Sequence, residues 1–281
     1  MLQASNTIQI FLPFLYGTLL FGFIRVFVRP GRKRLWLFPT VLVALTLHAI
    51  YIGLYTITNG HCLLTTSHEL FSLIAFTLLA TYVIVELRPA ELSAGTGAMV
   101  LLVAFLFQLV SSLSSRTNTL AAQNPIFLDT LFNIHVTSAV FGYAALTLAT
   151  IYGSLYLLLY RAMKKNTFGA LFQELPSLGR LERFGIRASA AGFIFLSISI
   201  LFGALLIKKS MPLIQGSNYL LDPKTIATIL TWLVFGTTLV IRRVAKIEGR
   251  KLVIFWMSGF ALTLVSMTII NAFGTEYHNF L

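Results

Sequence analysis

Five histidines, nine carboxylates and one cysteine are the side chains with which this 281-residue chain could do chemistry. Cys62 stands alone, so neither a disulfide framework nor a CxxC redox pair can form within the chain. It reads as an inert small residue. The carboxylates are scattered, and no two are placed for paired acid–base work. The spacings HxxxH and HExxH are absent, as are a Gly-rich phosphate loop and a Ser–His–Asp order. The histidines remain. His135 and His278 are far apart in sequence, yet each falls near the same end of a long apolar run. Two neutral imidazoles that converge on opposite faces of a planar porphyrin would make a b-type haem site. His48 lies deep inside an apolar run, where an ionisable side chain is a functional candidate by default. Its alternative role is a hydrogen bond to a neighbouring helix. His61 and His68 bracket HCLLTTSH and read as solvated loop residues.

These groups must be positioned by apolar elements. The chain is 57% hydrophobic and only 11% charged, against roughly 25% charged in soluble domains. Mean hydropathy is +0.84. A soluble globular enzyme and a disordered chain are excluded, and long unbroken apolar runs exclude a membrane β-barrel. Eight runs are long enough to cross a bilayer: residues 8–28, 36–58, 69–87, 97–114, 130–160, 187–207, 222–242 and 252–273. The expected fold class is therefore all-α, a polytopic integral membrane protein of about eight transmembrane helices. The first run lacks a basic leader and is too long for a signal-peptide core, so it is expected to stay as a helix.

The formal net charge of +12 is loop charge. Seventeen of the 21 Lys and Arg fall on one set of connections, and only Arg116, Lys208, Lys209 and Lys224 fall on the other. The basic side is expected to be cytoplasmic, which puts both termini on the outer side. Trp36 and Trp256 then fall at the cytoplasmic boundary as an aromatic belt. Nucleic acid is not an expected partner; membrane lipid is. Between Arg161 and Arg187, Leu178, Leu181 and Phe184 form one apolar face, either a helix lying on the cytoplasmic interface or a solvated connector. Ala145, Ala149 and Gly153 repeat every four residues, as close helix packing requires. Gly17 and Gly22, and Ser199 and Gly203, are weaker cases of the same kind, read as packing only. Asp222, opening the seventh run, reads as an N-cap.

Three segments carry a family resemblance. NIHVTSAVFGYAALTLATIYGSLYLLLYR, from Asn133, resembles the helix of cytochrome c assembly proteins that opens on a histidine–valine pair. ELPSLGRLERFGIRASAAGFIFLSISILFGAL is similar to the loop and helix that follow it. DPKTIATILTWLVFGTTLVIRR resembles the helix after the family's tryptophan-rich external loop. The shorter HemX/YpjD-type branch is the nearest, since LTLHAIYIGL also carries its histidine–alanine pair. Residues 1–281 accordingly read as a single transmembrane domain, with 208–221 as a degenerate tryptophan-rich platform.

The resemblance implies haem handling in cytochrome c assembly at a bacterial plasma (inner) membrane. It implies haem b at an outer vestibule, with His135 and His278 as axial ligands to the iron. Tyr219, Asp222 and Trp232 would support the platform, and His48 would be a second, intramembrane site. Partners would be other maturation proteins and apocytochrome c. The chain departs from the pattern where tryptophans are expected: Gln215, Tyr219 and Leu221 stand there, which weakens the stacking surface. Val240 replaces a histidine that would pair with His48. Catalysis by the chain itself is not expected. The alternative reading is a non-catalytic membrane regulator or scaffold that no longer binds haem. A small-anion transporter is a third reading, against which stands the lack of paired broken helices.

Overall fold

The computed structural model describes residues 2–29, 36–59, 66–86, 93–114, 128–167, 169, 172, 174–210 and 223–273. They form eight α-helices and, among the described residues, no strand. The helices are α1 (Leu2–Val28), α2 (Leu37–Asn59), α3 (Ser67–Val85), α4 (Ala94–Leu113), α5 (Thr130–Lys164), α6 (Leu178–Ser210), α7 (Pro223–Val244) and α8 (Arg250–Phe273). Seven of them, α1 to α7, are long and apolar enough to cross a membrane. The protein is an all-α, multi-pass membrane protein, as its apolar runs require. In lipid the backbone must bond to itself, and a helix does that within one segment.

Local chemistry sets the helix starts. Thr66 caps α3 through a bond from the Glu69 amide (3.2 Å), Ser93 caps α4 through Gly95 (3.2 Å), and Asp129 caps α5 through Leu131 (2.8 Å). Each short oxygen side chain satisfies an amide that has no partner within the helix. Gly249, at φ +69°, turns the chain into α8 in a conformation that glycine adopts without steric cost.

Two groups of four helices result. Helices α1 to α4 pack together, with α4 against both α1 and α3; α5 packs on α6 and α8, and α7 on α6 and α8. The groups meet where α3 and α4 touch α5. Helix α3 contacts α2, α4, α5 and α6 and is buried along most of its length. The outside is apolar too: Phe11, Phe14, Phe21, Leu106, Ile194 and Leu262 are all exposed, as a surface solvated by lipid allows.

One end of the bundle collects the basic residues of α5, α6, α7 and α8. Glu182 of α6 accepts from Arg242 of α7 (3.0 Å) and from the Gly249 amide before α8 (3.0 Å), tying three helices together there. At the opposite end Lys209, in the last turn of α6, pairs with Asp129 before α5. The Lys209 ammonium holds the Asp129 carboxyl below the usual carboxylate range.

Two sequence expectations change here. Leu178, Leu181 and Phe184 are neither an interfacial helix nor a solvated connector. They form the first turns of α6, which runs unbroken to Ser210, and Leu181 and Phe184 are in the core. Trp256 does not belong to a lipid-facing belt either: it is fully buried, whereas Trp36 is exposed. A boundary position fixes the depth of a side chain and leaves its direction to helix packing.

Glu86, just past the end of α3 at the basic end, is completely buried. The Tyr152 hydroxyl of α5 donates to its Oε1 at 2.8 Å, and the Ser93 amide donates to Oε2 at 3.4 Å. Burial pushes its carboxyl up to about 8, against the pull of these bonds. A carboxyl whose folded pKa lies above its unfolded one destabilises the fold wherever the unfolded chain ionises first. Stability is therefore full below about 4.5 and falls as pH rises toward 8. Glu86→Gln is expected to be close to neutral at pH 5 and to stabilise at pH 8 by on the order of 1–3 kcal/mol. Thermal unfolding in detergent at both pH values checks this. Parallel pH profiles for the two proteins would show that Glu86 is ionised in the fold.

Candidate functional site

His135 sits in the second turn of α5, at the end of the bundle opposite the basic one, and is half-buried against α6. Its Nδ1–H donates to the Ser199 carbonyl at 2.8 Å. The Ser199 hydroxyl also approaches Nδ1 (3.2 Å) and donates to the His135 carbonyl at 3.0 Å. A proton held on Nδ1 places the ring's lone pair on Nε2. That is the tautomer and second contact found in metal-ligating histidines, whose other nitrogen bonds a carbonyl. The donor set thus fits one axial ligand to a haem iron.

The residues proposed to complete this site distribute unevenly. His278, Tyr219 and Asp222 lie outside the described residues, as do Gln215 and Leu221. The expected N-cap role of Asp222 is likewise outside them. Helix α8 does pack directly on α5, and the close contact is at Gly153 against Trp256 and Met257, in the half nearer the basic end. Trp232 of α7 donates its indole N–H to the Ser197 hydroxyl (2.7 Å) and stacks on Phe193, ring centroids 5.0 Å apart. Ser197 and Ser199 are two residues apart on one helix, about 200° around its axis. Trp232 and His135 therefore grip different sides of α6. Tyr143 of α5 meets Thr228 of α7 at 3.1 Å, so α5, α6 and α7 converge one helical stretch inward from His135.

The other histidines belong to the first four helices. His48, in the middle of α2, is fully buried, and both its ring nitrogens are engaged. Ser72 donates to Gln108 Oε1 (3.2 Å) and so accepts from His48 Nε2–H (3.0 Å); Nδ1 then accepts the Tyr16 O–H (2.9 Å). The expected bond to a neighbouring helix is present twice, to α1 and to α3. An iron at His48 would have to displace one of these bonds. Val240, where a partner histidine was expected to be missing, is exposed.

His68 differs from its sequence reading. It is not solvated: it lies in the first turn of α3 with no exposed surface. Nδ1 lies 2.6 Å from the Ser111 carbonyl of α4, while the Gln9 amide of α1 and the Tyr51 hydroxyl of α2 approach the ring at 2.6 and 3.2 Å. Glu69 beside it accepts from Tyr55 at 2.7 Å. Sequence reasoning missed this cluster because the signal, polar residues one per helix on α1 to α4, shows only once the four helices are brought together.

The profile described as "Cytochrome C assembly protein" matches residues 40–278. The cytochrome c biogenesis protein CcsA of Chlorella vulgaris is 28% identical over 275 residues, covering 86% of this chain and 84% of its own length. Protein HemX of Bacillus subtilis (strain 168) is 20% identical, covering 90% and 88%. Protein HemX of Brevibacillus brevis is 30% identical over 128 residues, 46% of this chain and 46% of that protein, so the match spans about half of that relative. The matched region begins at the head of α2 and takes in His48, His135 and His278 together, so the histidines singled out by their positions all fall within it. With eight packed helices and a profile covering most of its length, the chain belongs to the cytochrome c assembly protein family.

Proposed function

We propose that this protein is a haem-handling component of cytochrome c assembly in a bacterial inner membrane, holding haem b at a vestibule on the outer side. The observation that supports the reading is the His135 Nδ1–H bond to the Ser199 carbonyl, the kind of supporting contact that metal-ligating histidines make. His278 would be the second ligand. The basic end would face the cytoplasm by the positive-inside rule, placing His135 at the outer end. Asp222 would cap α7, Tyr219 would be the remaining aromatic of the platform, and Trp232 would brace α6 behind it. When bound, haem supplies the redox chemistry, and the protein's part is to orient it and exclude water. Cysteines for thioether bonds would come from apocytochrome c, because this chain has only Cys62.

The test is an absorbance spectrum of the detergent-purified, dithionite-reduced protein after haem supplementation. A sharp α-band at one haem per chain is expected. A featureless spectrum would overturn the haem reading and leave a membrane scaffold.

A further inference from the structure

The slot that receives His135 is built around a glycine. A Cβ on Gly203 would lie 2.9 Å from both Cε1 and Nδ1 of the imidazole and 3.7 Å from Cγ. Approaches under 3.0 Å do not occur for real Cβ atoms, so a side chain there would force the ring to move. The ring has little room to do so, because Nδ1 is fixed at 2.8 Å from the Ser199 carbonyl and Ser199 holds the α5 backbone at 3.0 Å. The spacing of the two residues explains the arrangement. In an α-helix the carbonyl of residue i accepts from the amide of residue i+4, here Gly203. Any side chain at i+4 stands beside that carbonyl. Glycine leaves its second lone pair open to a group from another helix.

From this geometry we infer that Gly203 and the Ser199 carbonyl are positioning residues that set the tautomer and orientation of His135 for iron ligation. The inference rests on the haem reading above for its purpose, but not for its geometry. A glycine present only for close helix packing would have the same neighbours whatever the state of the imidazole. Gly192 provides that comparison. It lies on the same helix, and a Cβ there would meet Leu146 of α5 at 2.4 Å, with no histidine ring among its near contacts.

The experiment compares Gly203→Ala with Gly192→Ala. Nitrogen-15 spectra of histidine-labelled, haem-free protein report the tautomer directly. Haem titration followed by absorbance and electron paramagnetic resonance reports ligation. Wild-type His135 is expected as the Nδ1–H tautomer. Gly203→Ala should lose that tautomer and weaken haem binding roughly 10- to 100-fold, as losing a ligand's supporting bond does. Gly192→Ala should keep the tautomer and the low-spin signal. An Nε2–H tautomer in the wild-type protein overturns the inference, and that result needs no variant to fold. So does equal haem loss in Gly203→Ala and Gly192→Ala, or an unchanged tautomer in Gly203→Ala. If wild type shows the Nδ1–H tautomer, and Gly203→Ala loses it, while neither takes up haem, the positioning stands and the haem reading alone falls.

Discussion

Replacing His135 with alanine is expected to abolish the haem spectrum, whereas replacing His48 is expected to leave it. On the haem reading proposed above, His135 would ligate through Nε2, since Nδ1 bonds the Ser199 carbonyl. In that reading its removal would leave an iron held from one side only, and haem affinity should fall on the order of 100-fold or more, about 2.7 kcal/mol. His48 has committed both nitrogens, to Tyr16 and Ser72. Its loss removes two bonds between helices, each worth about 0.6 kcal/mol on average in a membrane protein. It also leaves the Tyr16 hydroxyl buried without that partner. His48→Ala should therefore unfold at lower temperature in detergent and still show a stoichiometric α-band. Haem kept in His135→Ala and lost in His48→Ala would move the site to the middle of the first four helices. It would also require the His48 hydrogen bonds to open.

Trp256→Ala should be the most destabilising single truncation in the second group of helices. The indole is fully buried where α8 meets α5 and α6. A Cβ on Gly153 would lie 2.8 Å from its Nε1, and one on Gly185 would lie 2.7 Å from its Cζ2. The two glycines are the walls of its slot. Neither wall can collapse inward, because each is backbone of a long helix packed on the other. Removing the ring leaves a cavity of nearly its whole volume, at a cost of about 3–5 kcal/mol. Much of that loss is dispersion, since lipid offers the indole no aqueous alternative. The buried indole N–H has no partner among the described residues, so its removal strands no hydrogen-bond acceptor there. Unfolding in a mixed-detergent titration measures the effect, and a loss below about 1 kcal/mol would mean that the helices close over the gap. Because the slot is far from His135 along α5, folded Trp256→Ala should still take up haem.

The helices were legible because their signal is local. Twenty consecutive apolar residues need no tertiary partner to be recognised, and the observed ends of α2, α3, α5 and α7 fall within a few residues of the expected spans. Helices α1 and α6 are the exceptions: α1 already begins at Leu2, and the first turns of α6, from Leu178, are polar enough to read as loop. The apolar face of those turns is satisfied by the core that Leu181 and Phe184 join. Polar residues were harder to read. His68 follows a loop of threonines and looks solvated in sequence, yet Gln9, Tyr51 and Ser111 enclose it from three other helices.

The class of solvent, the number of helices, the charge asymmetry between the two ends and the depth of His48 and His135 along their helices were all legible in the sequence. These follow from composition and from a rise of about 1.5 Å per residue, both properties of a single segment. The tertiary structure alone decided direction. Trp256 is at the depth of a belt residue but points into a slot between two glycines. Ser199 and Gly203 look like a packing pair until His135 is seen against them. The rotation of a helix about its axis is fixed by its neighbours. In a bilayer every helix is apolar nearly all round, so no hydrophobic stripe in the sequence says which face those neighbours will take.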